Sequence, residues 1–433
     1  MLMVNYYAFL LCISWVQKIN ITKGVITSCA LPFLAFWHIF RNLFKMNSGY
    51  FVLAFLVAVI AIAIFIVTPS SIFHCERFEL MKPPKLEGVL AVNSILTKAD
   101  YLLEHKIFGP ESIIVEKDSI KTGTQNGMLI AVEYEIIRKT SRFGSVNPDL
   151  CDGGFDMEPK CGRPLGLRQL DAENILAIDT HLGIFSVNFE KGQHTVVLRN
   201  QMEVDGKLMK FLNDIDVVNE DVLIFTDSSS KWDRRHLMNI LLEGIPNGRV
   251  LRLTRSTGKI DVIMDKLYFP NGIQLFPDKQ SFLVSETGAA RIKRHWIAGP
   301  RMGETGIFVD NLPGLPDNIR PGSNGTFWIG FAAVRHSDQF SLLDYLADKP
   351  YIRKCILQLV PERQWEWLLS MFATKHALIL QLSEEGQIIA SAHDPTGQVI
   401  KEVSQVTEAN EHLYLGSYRA PFIARLRKDL IVY

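Results

Sequence analysis

The chain lacks an excess of either charge. Its 46 lysines and arginines balance 46 acids, so there is no basic footprint for a nucleic-acid partner. The first 49 residues contain no acid at all, and the 433-residue chain has only six cysteines. No Gly-x-Ser-x-Gly elbow surrounds Ser228, Ser229 and Ser230, which discounts a serine-hydrolase reading and leaves them a turn role. No second Cys pair or His pair stands near Cys151 and Cys161, so a metal reading of that pair is weak. They flank a short loop of Asp, Gly and Phe (Asp152-Gly153-Gly154-Phe155-Asp156) and read instead as a local disulfide. A disulfide places the body in an oxidising compartment. The C-terminal Asp429-Leu430-Ile431-Val432-Tyr433 carries no retention signal, so which membrane system holds the chain is left open.

What is present first is a long apolar run. Tyr50 to Ile72 has no charge, and about 20 such residues span a bilayer as a helix. Its position inside the chain favours a retained anchor over a cleaved signal peptide. Lys18, Lys23, Arg41 and Lys45 precede it, which favours a cytoplasmic N-terminus. The expected layout is a cytoplasmic segment over 1–49, a transmembrane helix over 50–72, a linker and first propeller strand over 73–106, and a propeller over 107–433. The body would then lie in the ER lumen or outside the cell, on a single-pass type II anchor. Met3–Val16 and Val25–Ile39 are also apolar; they are extra spans, or a spurious extension if Met46 is the true start. Of the sequons at Asn20 and Asn324, only Asn324 falls in the body, where a glycan is expected.

From residue 107 short β-branched and aromatic runs alternate with turns. Met128–Val132, Ile175–Ile178, Val222–Thr226, Phe282–Ser285, Thr326–Gly330 and Leu413–Ser417 are examples. Asn126-Gly127 and Asn247-Gly248 read as hairpin turns. Repeating blocks of this kind suit propeller blades, and more than 300 residues would overfill one sandwich core. The fold expected is all-β, a six-bladed propeller. Phe340 to Phe372 has helical spacing and reads as a helical insertion over 336–375. Asp227 to Gly244 reads as a loop on the face that carries the site.

Five polar residues recur in one setting beside apolar runs: Glu111, Asn213, Asn271, Asp317 and Asn318. Carboxylate and amide oxygens from four separate loops suit Ca²⁺, and a radial fold can bring such loops together. The base of a metal-centred reaction would be a metal-bound water or a carboxylate, for which Glu111, Asp214 and the strand-end Glu286 are candidates, Glu286 reading equally as a salt-bridged or exposed acid. Arg163, Arg291 and Arg320 either bind an anionic substrate or neutralise buried acids.

The runs Phe225-Thr226-Asp227-Ser228-Ser229-Ser230-Lys231-Trp232, Cys161-Gly162-Arg163-Pro164-Leu165-Gly166, Leu315-Pro316-Asp317-Asn318-Ile319-Arg320-Pro321 and His412-Leu413-Tyr414-Leu415-Gly416-Ser417 resemble signatures of the strictosidine synthase-like family. The resemblance covers roughly residues 85–428 and implies a six-bladed propeller on a type II anchor, related more distantly to paraoxonases. It puts paraoxonase-type calcium ligands on Glu111, Asn213, Asn271, Asp317 and Asn318. A second, deeper ion would need acids where Ser112 and Asp214 stand, and one is missing. The synthase glutamate matches Ser404, which cannot act as the base, so amine condensation is rejected. The paraoxonase histidine pair matches Leu165 and Thr180; His181 is adjacent but on the opposite strand face. The reading is a membrane-anchored, calcium-dependent hydrolase of arylesterase or lactonase type, acting on a small ester or lactone. The alternative is a non-catalytic tethered propeller whose calcium is structural.

Overall fold

The computed structural model describes residues 72–365, 367–368 and 375–432. The expected cytoplasmic segment and transmembrane helix, including Asn20, lie outside the described residues except for Ile72. Among the described residues no helix is long and apolar enough to cross a membrane.

Six four-stranded antiparallel sheets follow one another around a ring. Blade one begins with Ile113–Glu116, blade two with Pro164–Gln169, blade three with Leu212–Val217, blade four with Pro270–Leu275, blade five with Gly314–Pro321 and blade six with Gln405–Ala409. Each of these strands touches the first strand of the next blade, and that of blade six touches that of blade one. The first strands therefore line a central channel. Blade six is completed by Asp100–Leu102, which pairs with Ile423–Arg427 near the C-terminus. That pairing closes the ring, so no blade is left with an open inner edge.

The sequence dictates this through burial on both faces. Second strands such as Ile175–Asp179 and Ser281–Glu286 are buried along their whole length, because each blade is sandwiched between two others. Six apolar clusters fill the six gaps between neighbouring blades. Outer strands such as Ile136–Arg142 alternate exposed and half-buried residues, as expected for a sheet edge facing water.

Two excursions rise on the face where the first strands begin. One carries helix α1 (Leu237–Glu243); the other, inside blade five, carries α2 (Leu342–Leu346) and α3 (Pro350–Leu359). Segment 73–81 crosses them: the Glu76 amide donates to the Glu243 carbonyl (2.9 Å), and the buried Arg353 holds Glu76 and Leu242 by their carbonyls. Asn126-Gly127 does make a turn between strands, with Gly127 at φ 79°. Asn247-Gly248 does not. Gly248 instead opens the third strand of blade three after α1, and an added Cβ there would lie 2.1 Å from Pro270 Cδ. The glycine serves a close approach between blades rather than a hairpin.

Candidate functional site

The inner strands share one irregularity. In blades three, four and five the ladder with the second strand shifts between Leu212 and Ile215, Pro270 and Ile273, and Pro316 and Ile319. A bulge of this kind unpairs residues and re-aims their side chains. The residues freed are Asn213-Asp214, Asn271-Gly272 and Asp317-Asn318. Glu111 stands two residues before the first strand of blade one. All five predicted cation-binding residues are buried at the channel end of these strands.

Hydrogen bonds between blades tie these positions into an arc. Ser404 Oγ donates to the Glu111 carbonyl (2.7 Å), and the Asn318 amide donates to the Ser404 carbonyl (2.9 Å). An added Cβ at Gly272 would sit 2.6 Å from Asn318 Cα, so blades four and five touch backbone to backbone. Thr226 Oγ1 donates to the Asn271 carbonyl (2.8 Å), and Ser228 Oγ to the Pro270 carbonyl (2.6 Å) while accepting from Asn213 Nδ2 (3.1 Å). Ser228 thus joins blades three and four, a turn role consistent with its sequence reading.

The oxygens of this arc are left over. Asn213 Oδ1, Asn271 Oδ1, Asp317 Oδ1 and Asn318 Oδ1 are buried and accept no hydrogen bond among the described residues. Each such group costs about 1–3 kcal/mol if nothing satisfies it. Burial raises the Asp317 carboxyl well above its usual range, and the neighbouring Glu111 charge adds to this. Burial likewise raises Glu111, against the pull of Arg163 and Arg234. Two carboxylates and three amides form a hard-oxygen donor set, while among the described residues no group of three or more His, Cys, Asp or Glu is placed to hold a metal ion. This set fits calcium.

The channel below is filled differently. Arg320 grips Asp214 with both terminal nitrogens (2.8 and 3.1 Å) and reaches Ser112 Oγ (3.2 Å). Arg168 approaches Asp214 and Asp216 at 3.4 and 3.5 Å. Burial opposes ionisation of Asp214, yet Arg168 and Arg320 hold it below the ordinary carboxylate range. The guanidinium groups of Arg320 and Arg168 meet the charge beside Ser112 and Asp214. Asp214 is consequently no free base. Nor is Glu286: it is fully buried, bound by Arg291 Nε (2.6 Å), Lys293 Nζ (3.2 Å) and the Tyr268 amide (2.8 Å). His181 is also committed. Its Nε2 lies 2.7 Å from Glu158 Oε1, and Arg234 clasps the same carboxylate.

Two features were missed in the sequence. Glu402, two residues before Ser404, is a carboxyl that burial raises. It neighbours Ser417, whose amide binds the Pro110 carbonyl (2.9 Å). An apolar cap also forms at the entries to blades two, three and four, where Leu165, Phe211 and Phe269 pack with Ile240 of α1. Cys151 and Cys161 form the expected disulfide, with Cα atoms 5.6 Å apart. It closes the loop before Arg163. Asn324 is exposed in a turn at φ 57°.

The fold and the arc together define a six-bladed propeller with a buried oxygen-donor site at its hub. The description Strictosidine synthase matches residues 213–300. Adipocyte plasma membrane-associated protein of Salmo salar is 39% identical over 389 residues, 90% of each chain; that of Rattus norvegicus is 40% identical over 352 residues, 81% of this chain and 92% of its own. Protein strictosidine synthase-like 3 of Arabidopsis thaliana is 33% identical over 76% of this chain and 85% of its own. The chain belongs to the family of adipocyte plasma membrane-associated proteins, within the strictosidine synthase-like group. Among solved structures, a gluconolactonase of Xanthomonas campestris gives a TM-score of 0.49 at 16% identity, covering 83% of this chain and 99% of its own. A regucalcin of Agrobacterium tumefaciens gives 0.49 at 13% identity, covering 75% and 92%.

Proposed function

We propose that this protein is a membrane-anchored, calcium-dependent hydrolase of arylesterase or lactonase type, with its propeller in the ER lumen or outside the cell and a glycan on Asn324. The observation that carries the reading is the set of four buried, unpartnered oxygens on Asn213, Asn271, Asp317 and Asn318. Glu111 completes the five ligands. When bound, calcium supplies a Lewis acid that polarises an ester carbonyl and steadies its oxyanion. The chain's own part is to hold these oxygens rigidly on bulged strands and to exclude water with Phe211, Phe269 and Ile240. With Asp214 and Glu286 spent on cationic side chains, our candidate proton acceptor is Glu402, which neighbours Ser417 (3.5 Å) and whose carboxyl burial raises, matching it better to neutral pH. The relatives' name, plasma membrane-associated, and the uncharged run at 50–72 support the anchor.

The second reading, a tethered ligand-binding propeller with a structural calcium, is favoured by one observation. Leu165 and the buried Thr180 stand where a paraoxonase histidine pair would act. Hydrolysis of phenyl acetate and of a γ-lactone by the full chain in detergent, with and without EDTA, separates the two. The hydrolase reading expects EDTA-sensitive turnover, lost in Asn271→Ala and reduced in kcat by Glu402→Gln without loss of calcium binding. Calcium binding with no turnover on either substrate establishes the second reading.

A further inference from the structure

The three arginines singled out in the sequence differ in how their charge is met. Arg320 is consumed by Asp214, and Arg291 by Glu286. Arg163 is 1% exposed, yet among the described residues its guanidinium makes one hydrogen bond, from Nη2 to the Tyr418 carbonyl (2.8 Å). Its Nε and Nη1 are buried without an acceptor. A guanidinium out of water with most of its fork unused is costly, because it loses hydration and gains little in exchange.

Its position is specific. Arg163 immediately precedes the first strand of blade two and lies against the loop that presents Glu111. An added Cβ at Gly109 would be 2.8 Å from Nη2 and 3.1 Å from Nη1. The acids around it are Glu111, Glu158 and Asp179. Glu158 is occupied by Arg234 and His181. Asp179 spends Oδ1 on the amides of His181 and Leu182 (3.0 Å each), while its Oδ2 has no hydrogen-bond partner. Glu111 belongs to the hub arc, so a cation there draws on the carboxylate that Arg163 would otherwise face. The two cationic centres would then border one space.

We infer that Arg163 is an anion-recognition residue, and that the site takes ligands with a carboxylate or phosphoryl oxygen group held between the hub cation and the unpaired N–H groups of the Arg163 guanidinium. Resting on the hydrolase reading, this names the substrate class as anionic esters or lactones rather than neutral ones. Nε and Nη1 lie on different edges of the guanidinium, so the anion takes Nε alone, or Nη1 with the second hydrogen of Nη2, in a planar geometry that a lysine point charge does not reproduce.

The test uses the full chain in detergent, with terbium luminescence for the cation and calorimetric titration of acetate and of inorganic phosphate into the calcium-loaded protein. Binding of either anion is expected only with calcium present. It should weaken about 10- to 100-fold in Arg163→Gln and by a lesser factor in Arg163→Lys, with terbium binding unchanged in both. Arg163→Lys keeps the charge and guards against loss of folding, which thermal unfolding monitors. Wild-type protein that binds terbium but neither anion, or an Arg163→Gln protein that binds them as tightly, overturns the inference and leaves the cation site standing. Absence of terbium binding in the wild type overturns both.

Discussion

At the start of their inner strands, blades three, four and five differ from blade two in the side chains they carry. All four carry the same shift at the start of the inner strand; in blade two it falls between Pro164 and Leu167. There the freed residues are Leu165-Gly166, and Leu165 joins the apolar cap while Gly166 lets blade three approach (an added Cβ would lie 2.7 Å from Asp214 Oδ1). In the other three blades the freed residues include Asn213, Asn271, Asp317 and Asn318, each with an Oδ1 that finds no partner among the described residues, while the freed Asp214 is taken by Arg320. The bulge is therefore part of the fold, and function enters through which residues occupy it. Blade six sharpens the lesson, since Ser404 spends both its hydroxyl and its carbonyl on holding neighbouring blades.

The strongest way to break this contrast is to remove the acid from the polar arc. Asp317→Ala is expected to cost about 3–5 kcal/mol of calcium binding, the range for deleting one member of a buried charged set, or roughly 100- to 4,000-fold in Kd. Calorimetric titration checks it, and unchanged affinity would break the assignment. Next in size is removal of the ion itself. A ligand bound only by the native state at 100–1,000 times its Kd adds about 3–4 kcal/mol, so EDTA should lower the melting temperature of the wild type and leave that of Asp317→Ala unmoved.

A third test moves from hub to rim, where buried polar groups satisfy one another. His376 Nε2 and His393 Nδ1 are 2.8 Å apart, and His393 Nε2 is 3.2 Å from Ser391 Oγ. Burial pushes His393 down to about 4, helped by His376 and His336, and lowers His376 as well. A histidine whose folded pKa is depressed binds fewer protons folded than unfolded, so stability falls as pH drops below about 6.5 toward 4. For His393 alone this loss is about 2 kcal/mol at pH 5. Denaturant titrations at pH 7 and pH 5 should show a smaller difference for His393→Gln than for wild type. An equal difference would place the acid sensitivity elsewhere. The smallest effect belongs to Ser404→Ala, expected to lose about 1 kcal/mol for one buried hydrogen bond with little change in calcium affinity. A large loss of affinity would make blade six part of the polar arc.

Much of the fold was legible because it rests on local pattern. The apolar runs that mark the blades are strands in the structure, and the helical spacing near Phe340 matches α2 and α3. The disulfide was readable from two cysteines ten residues apart. What misled were positions whose meaning depends on a distant neighbour. Asn247-Gly248 has hairpin composition, but Pro270 of the next blade is what requires the glycine. Glu286 and Asp214 have the composition of catalytic acids, but arginines neutralise them. Glu402 and the cap residue Ile240 gave no signal at all, since neither lies in a motif. A recurring polar pair after an aromatic or proline residue, as in Phe211-Leu212-Asn213 and Phe269-Pro270-Asn271, is the one local trace of the bulges.

The sequence alone determined the strand content, the kinds of oxygen donor and their order along the chain, because hydrophobic alternation and side-chain chemistry are local. Only the tertiary structure decided which charges remain in play. Arg320 reaches Asp214 across 106 residues, while Arg163, just before the first strand of blade two, is left with a single carbonyl. Ion pairing depends on distance in space, and closure of the ring sets those distances.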